Sequence, residues 1–530
     1  MTKIIYDTTL RDGLQARGAH MTLSDKLKTF QDLDSLRVPI IEVCWPSSPK
    51  EDPKIFDKCR SIRKQAKITA FGSTSISKDP TKDSNLAAIL NSKADYACIF
   101  GKSWLSHVHS QLKTTPDENL KRISNSIKFL LEHKMPVIYD AEHFFDGYKD
   151  NPNYAISTIE YASNAGAEFL VLCDTNGGTL LHEVKEIVKK TKESLNQKSI
   201  KTPLGSHFHN DSGLAAANAL YTADYFEMIQ GTANGMGERV GNLNWTTFAI
   251  NWVYKMGNYL DINWKNLTKT TEEIFRRSGL PVQANLPYLG RDAFSHKGGV
   301  HIDALNKGAS YEHINPEIFG NERILLLTTQ GGRGNIIKLA NKSGCNFNKN
   351  DISFKKKAEK LFKKLKQLED DGYRIEALPA EQFLLIEEHF GNLRDYFKLG
   401  DVKVTTAFNS TLEESTSFIR GNLEKKILEK KLTVEGGPVH AIYELLTKML
   451  SNPYPQLNNL KIVDYHVDLA RYQGVKSSVR TAITFSDGLC FTTVGVSDNI
   501  IRSAVEAIEK GFRYYLNRQN SQTIKGMKER

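Results

Sequence analysis

Eight short apolar, β-branched runs punctuate the first 235 residues, each followed by a polar turn and then a helical pattern. They are "KIIYDT" (3–8), "IIEVCW" (40–45), "KITAFG" (67–72), "DYACIF" (95–100), "PVIYDA" (136–141), "EFLVLCDT" (168–175), "LGSHFH" (204–209) and "FEMIQGT" (226–232). Strands buried on both faces are near-continuous in apolar residues, and their regular alternation with helices predicts a parallel sheet. Eight such units predict a (β/α)8 barrel, the TIM barrel of the α/β class, over residues 1–275. A doubly wound open sheet is the alternative, but no G-x-G-x-x-G follows the first run.

The pattern then changes. Residues 276–400 read as helical linker subdomains, dominated by the amphipathic "DISFKKKAEKLFKKLKQLEDDGYRIEA". Residues 401–530 carry strand-like runs ("DVKVTTAF", "KKLTVEGG", "KIVDYHVDLA", "SSVRTAITFS", "LCFTTVGV") and two long helical patterns at 438–450 and 498–516. They predict a C-terminal α+β domain of two ββ(β)α units.

A barrel of this kind places its chemistry at the C-terminal ends of its strands. Polar residues collect there: Asp7, Arg11 and Asp12 after the first run, Asp140, Glu142 and His143 at the fifth, and Asp174 and Thr175 at the sixth. His207, His209, Asn210 and Asp211 end the seventh, and Asn234, Glu238, Arg239 and Asn242 follow the eighth. In a strand, residues i and i+2 point to one face about 7 Å apart, so His207 and His209 can converge on one ion. An isolated H-x-H is weak evidence, but Asp12 supplies a carboxylate from another strand end. One carboxylate, two imidazoles and an amide oxygen suit Mn²⁺, Mg²⁺ or Zn²⁺ alike and leave positions for substrate and water. Arg11 beside Asp12 can grip a carboxylate bidentately. A divalent metal next to such a clamp is equipment for polarising a 2-oxo acid.

Charge and composition narrow this only slightly. The 530-residue chain has 71 Lys and Arg against 61 Asp and Glu, a net charge of +10, spread through amphipathic helical stretches. That distribution reads as solvated helix surface, or as attraction for an anionic small substrate, and no nucleic-acid-binding module accompanies it. No run of 18 apolar residues and no leader-like start occur, so no membrane association is expected. The six cysteines form no C-x-x-C pair, and Cys44, Cys98 and Cys173 lie inside apolar runs as reduced core residues. A cytoplasmic protein is expected.

Three motifs carry a family resemblance: "YDTTLRDGLQ" (6–15), "HFHND" (207–211) and "GERVGN" (237–242). They resemble the signatures of the DRE-TIM metallolyases, in the group of the 2-isopropylmalate, homocitrate and citramalate synthases. "FGKSW" (100–104), "DAEHFFDGYK" (140–149), "LCDTNGGTL" (172–180), "HKGGVH" (296–301) and "YEHI" (311–314) are most similar to the citramalate branch. The resemblance continues through "GPVHAIYELLTKML" (437–450) and "TVGVSDNII" (493–501), nearly the whole chain. It implies a metal site of Asp12, His207, His209 and Asn242, with Arg11 and Thr175 holding the keto acid and Glu142 nearby. It also implies acid–base residues after the barrel, matched here by His301 and Tyr311, with Asp303 as a third member found in some relatives. The chain departs from the family pattern after the third strand, where "GSTSISK" lacks the usual arginines, and at "EVCWPSSPKED".

The reaction implied is a Claisen-type condensation of acetyl-CoA with pyruvate, then thioester hydrolysis, giving (R)-citramalate and CoA on the way to isoleucine. His301 and Glu142 are the alternatives for the base. The same resemblance implies a homodimer built through the C-terminal domain and feedback by isoleucine, for which the "EGGPVHA" turn (435–441) offers a helix N-terminus to a carboxylate. A 2-isopropylmalate synthase acting on 2-oxoisovalerate, and a non-catalytic barrel that senses an amino acid, are the competing expectations.

Overall fold

The computed structural model describes residues 3–528 except 50, 53, 299–300, 302–303, 305–307, 309–310, 328–335, 337–339, 341–351, 377, 392, 409–412, 424–425 and 472–476. It divides into two compact units, Met1–Phe294 with Asn315–Glu322, and Ser295–Ile314 with Arg323–Arg530.

All eight apolar runs of the first unit are strands: β1 (Ile4–Asp7), β2 (Ile40–Cys44), β3 (Lys67–Ser73), β4 (Tyr96–Lys102), β5 (Val137–Glu142), β6 (Phe169–Asp174), β7 (Leu204–Phe208) and β8 (Met228–Gly231). They pair in parallel in chain order, and β8 returns to β1 through Ile4↔Met228 and Asp7↔Gly231. The sheet is closed, which excludes the doubly wound alternative. Closure also leaves no strand edge unpaired, so every strand can be apolar on both faces. Tyr6, Ile40, Phe71, Cys98, Ile138, Val171, Cys173 and Met228 pack together as a buried cluster. Cys44, Cys98 and Cys173 are buried free thiols, as their apolar surroundings require.

The helices between the strands are set by their caps and apolar stripes. Thr115 accepts from Glu118 N at 3.2 Å, Pro116 opens the helix Pro116–Glu132, and Leu120, Ile123, Ile127 and Leu130 form its buried stripe. Leu181–Gln197 buries Val184, Ile187, Val188 and Leu195 with the same period.

The second unit opens with a two-stranded parallel pair, β9 (Ser295–His296) and β10 (Ile324–Leu325), followed by helices Ile352–Asp370 and Pro379–His389. The region expected as helical linker subdomains, 276–400, thus carries a short strand pair beside its helices. Two antiparallel three-stranded sheets follow, each closed by a helix. The first is β11 (Phe397–Phe408), β12 (Glu413–Leu423) and β13 (Lys426–Glu435) with helix Pro438–Leu450. The second is β14 (Lys461–Arg471), β15 (Ser478–Ser486) and β16 (Cys490–Ser497) with helix Ile500–Lys528.

Strand β12 has no counterpart among the apolar runs of the sequence. Its inward positions are Ser415, Ser417 and Ile419, all fully buried, so two hydroxyls replace the expected apolar alternation. The Ser417 hydroxyl is satisfied by donating to Ala441 O on the covering helix at 2.8 Å. Among the described residues no helix is long and apolar enough to cross a membrane.

Candidate metal centre at the barrel mouth

The turn after β1 is held by the buried Asp7 carboxylate, which accepts from Thr9 N (2.9 Å), Thr9 Oγ1 (2.8 Å) and Trp245 Nε1 (2.7 Å). Thr9 Oγ1 in turn accepts from Ala233 N at 2.8 Å, pinning this turn to the segment after β8. Asp12 is thereby fixed at the mouth. His207 lies on β7, and His209, just past its end, bridges to Asn242 through the backbone. The ligand atoms of Asp12, His207 and His209 all lie within 4.8 Å of one another. Nε2 of His207 is 3.4 Å from Asp12 Oδ2 and 3.2 Å from His209 Nε2.

Asn242 reaches the same place through a loop that only glycine permits. Gly241 has φ +95°, and a Cβ there would overlap Gly235 O. A Cβ on Gly237 would overlap the Asn242 amide itself. Nδ2 of Asn242 donates to Met236 O at 3.0 Å, while its Oδ1 is buried without a hydrogen-bond partner. An orphaned buried acceptor costs about 1–3 kcal/mol, and the amide that carries it is hydrogen-bonded to Asp12, so Asn242 fits as a further ligand to an ion held there.

Electrostatics agree. Burial, reinforced by His209, pushes His207 down to about 3, and burial lowers His209 as well. Burial works to raise Asp12, but Arg11, His207 and His209 outweigh it and hold the carboxyl below its ordinary range. The set at neutral pH is one carboxylate, two neutral imidazoles and an amide oxygen, a hard and intermediate donor set suited to a divalent cation.

Arg11 lies beside this group. Its Nε donates to Glu42 Oε1 at 2.5 Å, its Nη1 sits 3.3 Å from Asp12 Oδ2, and its guanidinium carbon lies 3.7 Å over the Phe71 ring. Tyr6 donates its hydroxyl to the other Glu42 oxygen at 2.5 Å. With Nε committed, a substrate carboxylate can be gripped only through the terminal nitrogens.

Glu142 ends β5 in an ion pair with Lys102 from the end of β4. Thr175 Oγ1 accepts from His143 N at 2.9 Å, leaving its own hydrogen to donate. Arg239 is held by Asp211 (2.7 and 2.9 Å) and Thr175 O (2.9 Å), with Nη2 at 2.9 Å from His209 Nδ1. Asn234 holds its loop by donating to Thr271 O at 2.8 Å. His143 packs against His107 and Trp104, with centroids 4.4 and 5.8 Å away, as a rim cluster.

His301 and Tyr311 belong to the second unit, where their rings stack at 4.5 Å and 29°. Asp303 lies outside the described residues. Sequence reasoning passed over Glu42, Lys102 and Gln230. Glu42 had a signal, being a lone charge inside the apolar "IIEVC" of β2.

The comparisons with known proteins match this arrangement along the whole chain. The HMGL-like family matches residues 3–274, the homocitrate synthase post-HMGL domain-like family 289–373, and the LeuA allosteric (dimerisation) domain 376–516. An (R)-citramalate synthase of Aquifex aeolicus is 38% identical over 98% of this chain and 99% of its own. The chain belongs to the HMGL-like family, in its (R)-citramalate synthase branch. Another member of that branch, from Synechocystis sp., is 38% identical over 97% of this chain and 96% of its own. A 2-isopropylmalate synthase of Methanocaldococcus jannaschii is more distant, 27% identical over 97% of this chain and 94% of its own.

Proposed function

We propose that the chain is an (R)-citramalate synthase, condensing acetyl-CoA with pyruvate and water to (R)-citramalate and CoA. The observation that carries this reading is full-length identity of 38% to (R)-citramalate synthases, against 27% to a 2-isopropylmalate synthase. The site at the barrel mouth supports it. Asp12, His207, His209 and Asn242 would hold a divalent ion, Mn²⁺, Mg²⁺ or Zn²⁺, whose chemistry is to polarise the keto group of the oxo acid.

The residues of the chain do the rest. Arg11 binds the pyruvate carboxylate end-on through its terminal nitrogens and adds positive charge where the keto oxygen becomes anionic. Thr175 donates its hydroxyl to the same substrate. A base must take a proton from the acetyl methyl so that the enolate carbon attacks the keto carbon. Glu142 is engaged by Lys102, so we assign that proton to His301, with Tyr311 stacked on it and Asp303 close in sequence. Water then cleaves the thioester, releasing CoA as the thiol.

The LeuA dimerisation domain supports a homodimer. We also propose that isoleucine, the end product of this route, inhibits through that domain. Helix Pro438–Leu450 begins at Gly437, which carries no capping side chain over the first N–H groups. Action in the cytoplasm suits the buried free thiols. One experiment tests the central reading: CoA release from acetyl-CoA with pyruvate, 2-oxobutyrate, 2-oxoisovalerate and 2-oxoglutarate in parallel. Pyruvate should give the highest kcat/KM. A higher value for 2-oxoisovalerate would replace this reading with 2-isopropylmalate synthesis, and no turnover of any acid would leave a sensing barrel.

A further inference from the structure

Behind His207 a buried pair of side chains runs across the barrel. Gln230 on β8 and Asp140 on β5 are 0% and 4% exposed. Gln230 Nε2 donates to Asp140 Oδ1 at 3.0 Å, and Gln230 Oε1 lies 3.1 Å from His207 Nδ1. When Asp140 is ionised its oxygens only accept, so the amide then turns its NH2 toward Asp140 and its oxygen toward His207. An amide oxygen only accepts, so Nδ1 of His207 must carry the proton. A neutral imidazole then keeps its lone pair on Nε2, the nitrogen that faces Asp12 and His209.

We infer that Gln230, locked by Asp140, is a positioning residue that fixes the tautomer and ring orientation of His207 so that Nε2 is presented as a metal ligand. This rests on the proposed metal centre and adds to it the group that prepares one ligand. The second partner of a ligating imidazole is ordinarily a carboxylate or a carbonyl oxygen, and its loss typically weakens metal affinity about 10–100-fold. Here a neutral amide does that work, and its orientation depends on a carboxylate one step further away. Asp140 accepts the Gln230 amide hydrogen bond, and its part in this inference is to deny Gln230 the reversed orientation.

The test is Mn²⁺ binding by the full-length, metal-free chain, read from the free-ion paramagnetic resonance signal, so that no activity assay is involved. Binding by the unsubstituted chain tests the metal centre itself, and its failure would remove that reading rather than this one. Gln230→Met, which keeps the length and removes the acceptor, should weaken Mn²⁺ about 10–100-fold with an unchanged circular dichroism spectrum. Gln230→Glu combined with Asp140→Asn restores an acceptor for His207 Nδ1 and a donor from position 140, and should bind Mn²⁺ nearly as the unsubstituted chain does. Asp140→Asn alone allows the amide to turn and should bind more weakly than the double variant. A folded Gln230→Met protein with unaltered Mn²⁺ affinity would overturn the inference. If Gln230→Met does not fold, the comparison of the double and single variants decides, and equal affinities or the reverse order would overturn it.

Discussion

Arg11 Nε donates to Glu42 Oε1 at 2.5 Å, and Glu42 is completely buried. The guanidinium proposed to bind substrate is thus held from beneath by a carboxylate on the neighbouring strand, while Phe71 supports its face. Arg11→Lys keeps the charge but loses the planar fork, so the same side chain cannot satisfy Glu42 and hold an oxo acid. We expect kcat/KM for pyruvate to fall on the order of 10²-fold or more, with metal content unchanged. Near-normal steady-state kinetics in this variant would remove Arg11 from substrate binding.

His209→Ala removes one of three converging ligand groups. Dialysed protein analysed for Mn²⁺, Mg²⁺ and Zn²⁺ should contain none, while its circular dichroism remains that of the unsubstituted chain. A metal-free and fully active variant would end the metal-dependent mechanism.

Assigning the base to His301 separates two substitutions. His301→Ala should reduce exchange of the acetyl-CoA methyl hydrogens with deuterated water about 10²–10⁴-fold. Glu142→Gln should leave most of that exchange, because Glu142 is engaged by Lys102. The opposite pattern in a mass-spectrometric exchange assay would make Glu142 the base.

Burial raises the Asp140 carboxyl to about 7. The folded state therefore holds this proton more tightly than the unfolded chain, whose carboxyl ionises near about 4. Ionising Asp140 is a cost to the fold that is complete above about pH 7 and absent below about pH 4. Asp140→Asn removes that cost, so its stability relative to the unsubstituted chain should rise across this window, by on the order of 1–4 kcal/mol. Denaturant midpoints of the barrel at pH 5 and pH 8 check it, and a difference independent of pH would refute it.

Isoleucine regulation is testable at the helix start. Gly437 is the N-cap of helix Pro438–Leu450. Gly437→Asp would cap the free N–H groups with its own carboxylate and repel that of an amino acid. Calorimetric titration should show isoleucine binding to the intact chain, leucine binding less tightly, and the variant weakened at least about tenfold. If neither amino acid binds the intact chain at millimolar concentration, the domain acts in dimerisation alone. Cutting the chain at residue 400 would be a poorer test, because β11 already begins at Phe397.

Local pattern alone was enough for the barrel strands and for the convergence of His207 and His209 with Asp12. A doubly buried strand announces itself within five or six residues, and period two puts His207 and His209 on one face wherever the strand goes. Strand β12 escaped because its buried positions are serines, whose hydroxyls are acceptable inside only when a partner such as Ala441 O arrives from another element. The same reason hid the groups that prepare the site. Glu42 is 31 positions from Arg11, and Gln230 is 90 positions from Asp140. A buried polar side chain has meaning only through the partner that satisfies it, and that partner is supplied by the folded barrel, not by neighbours along the chain.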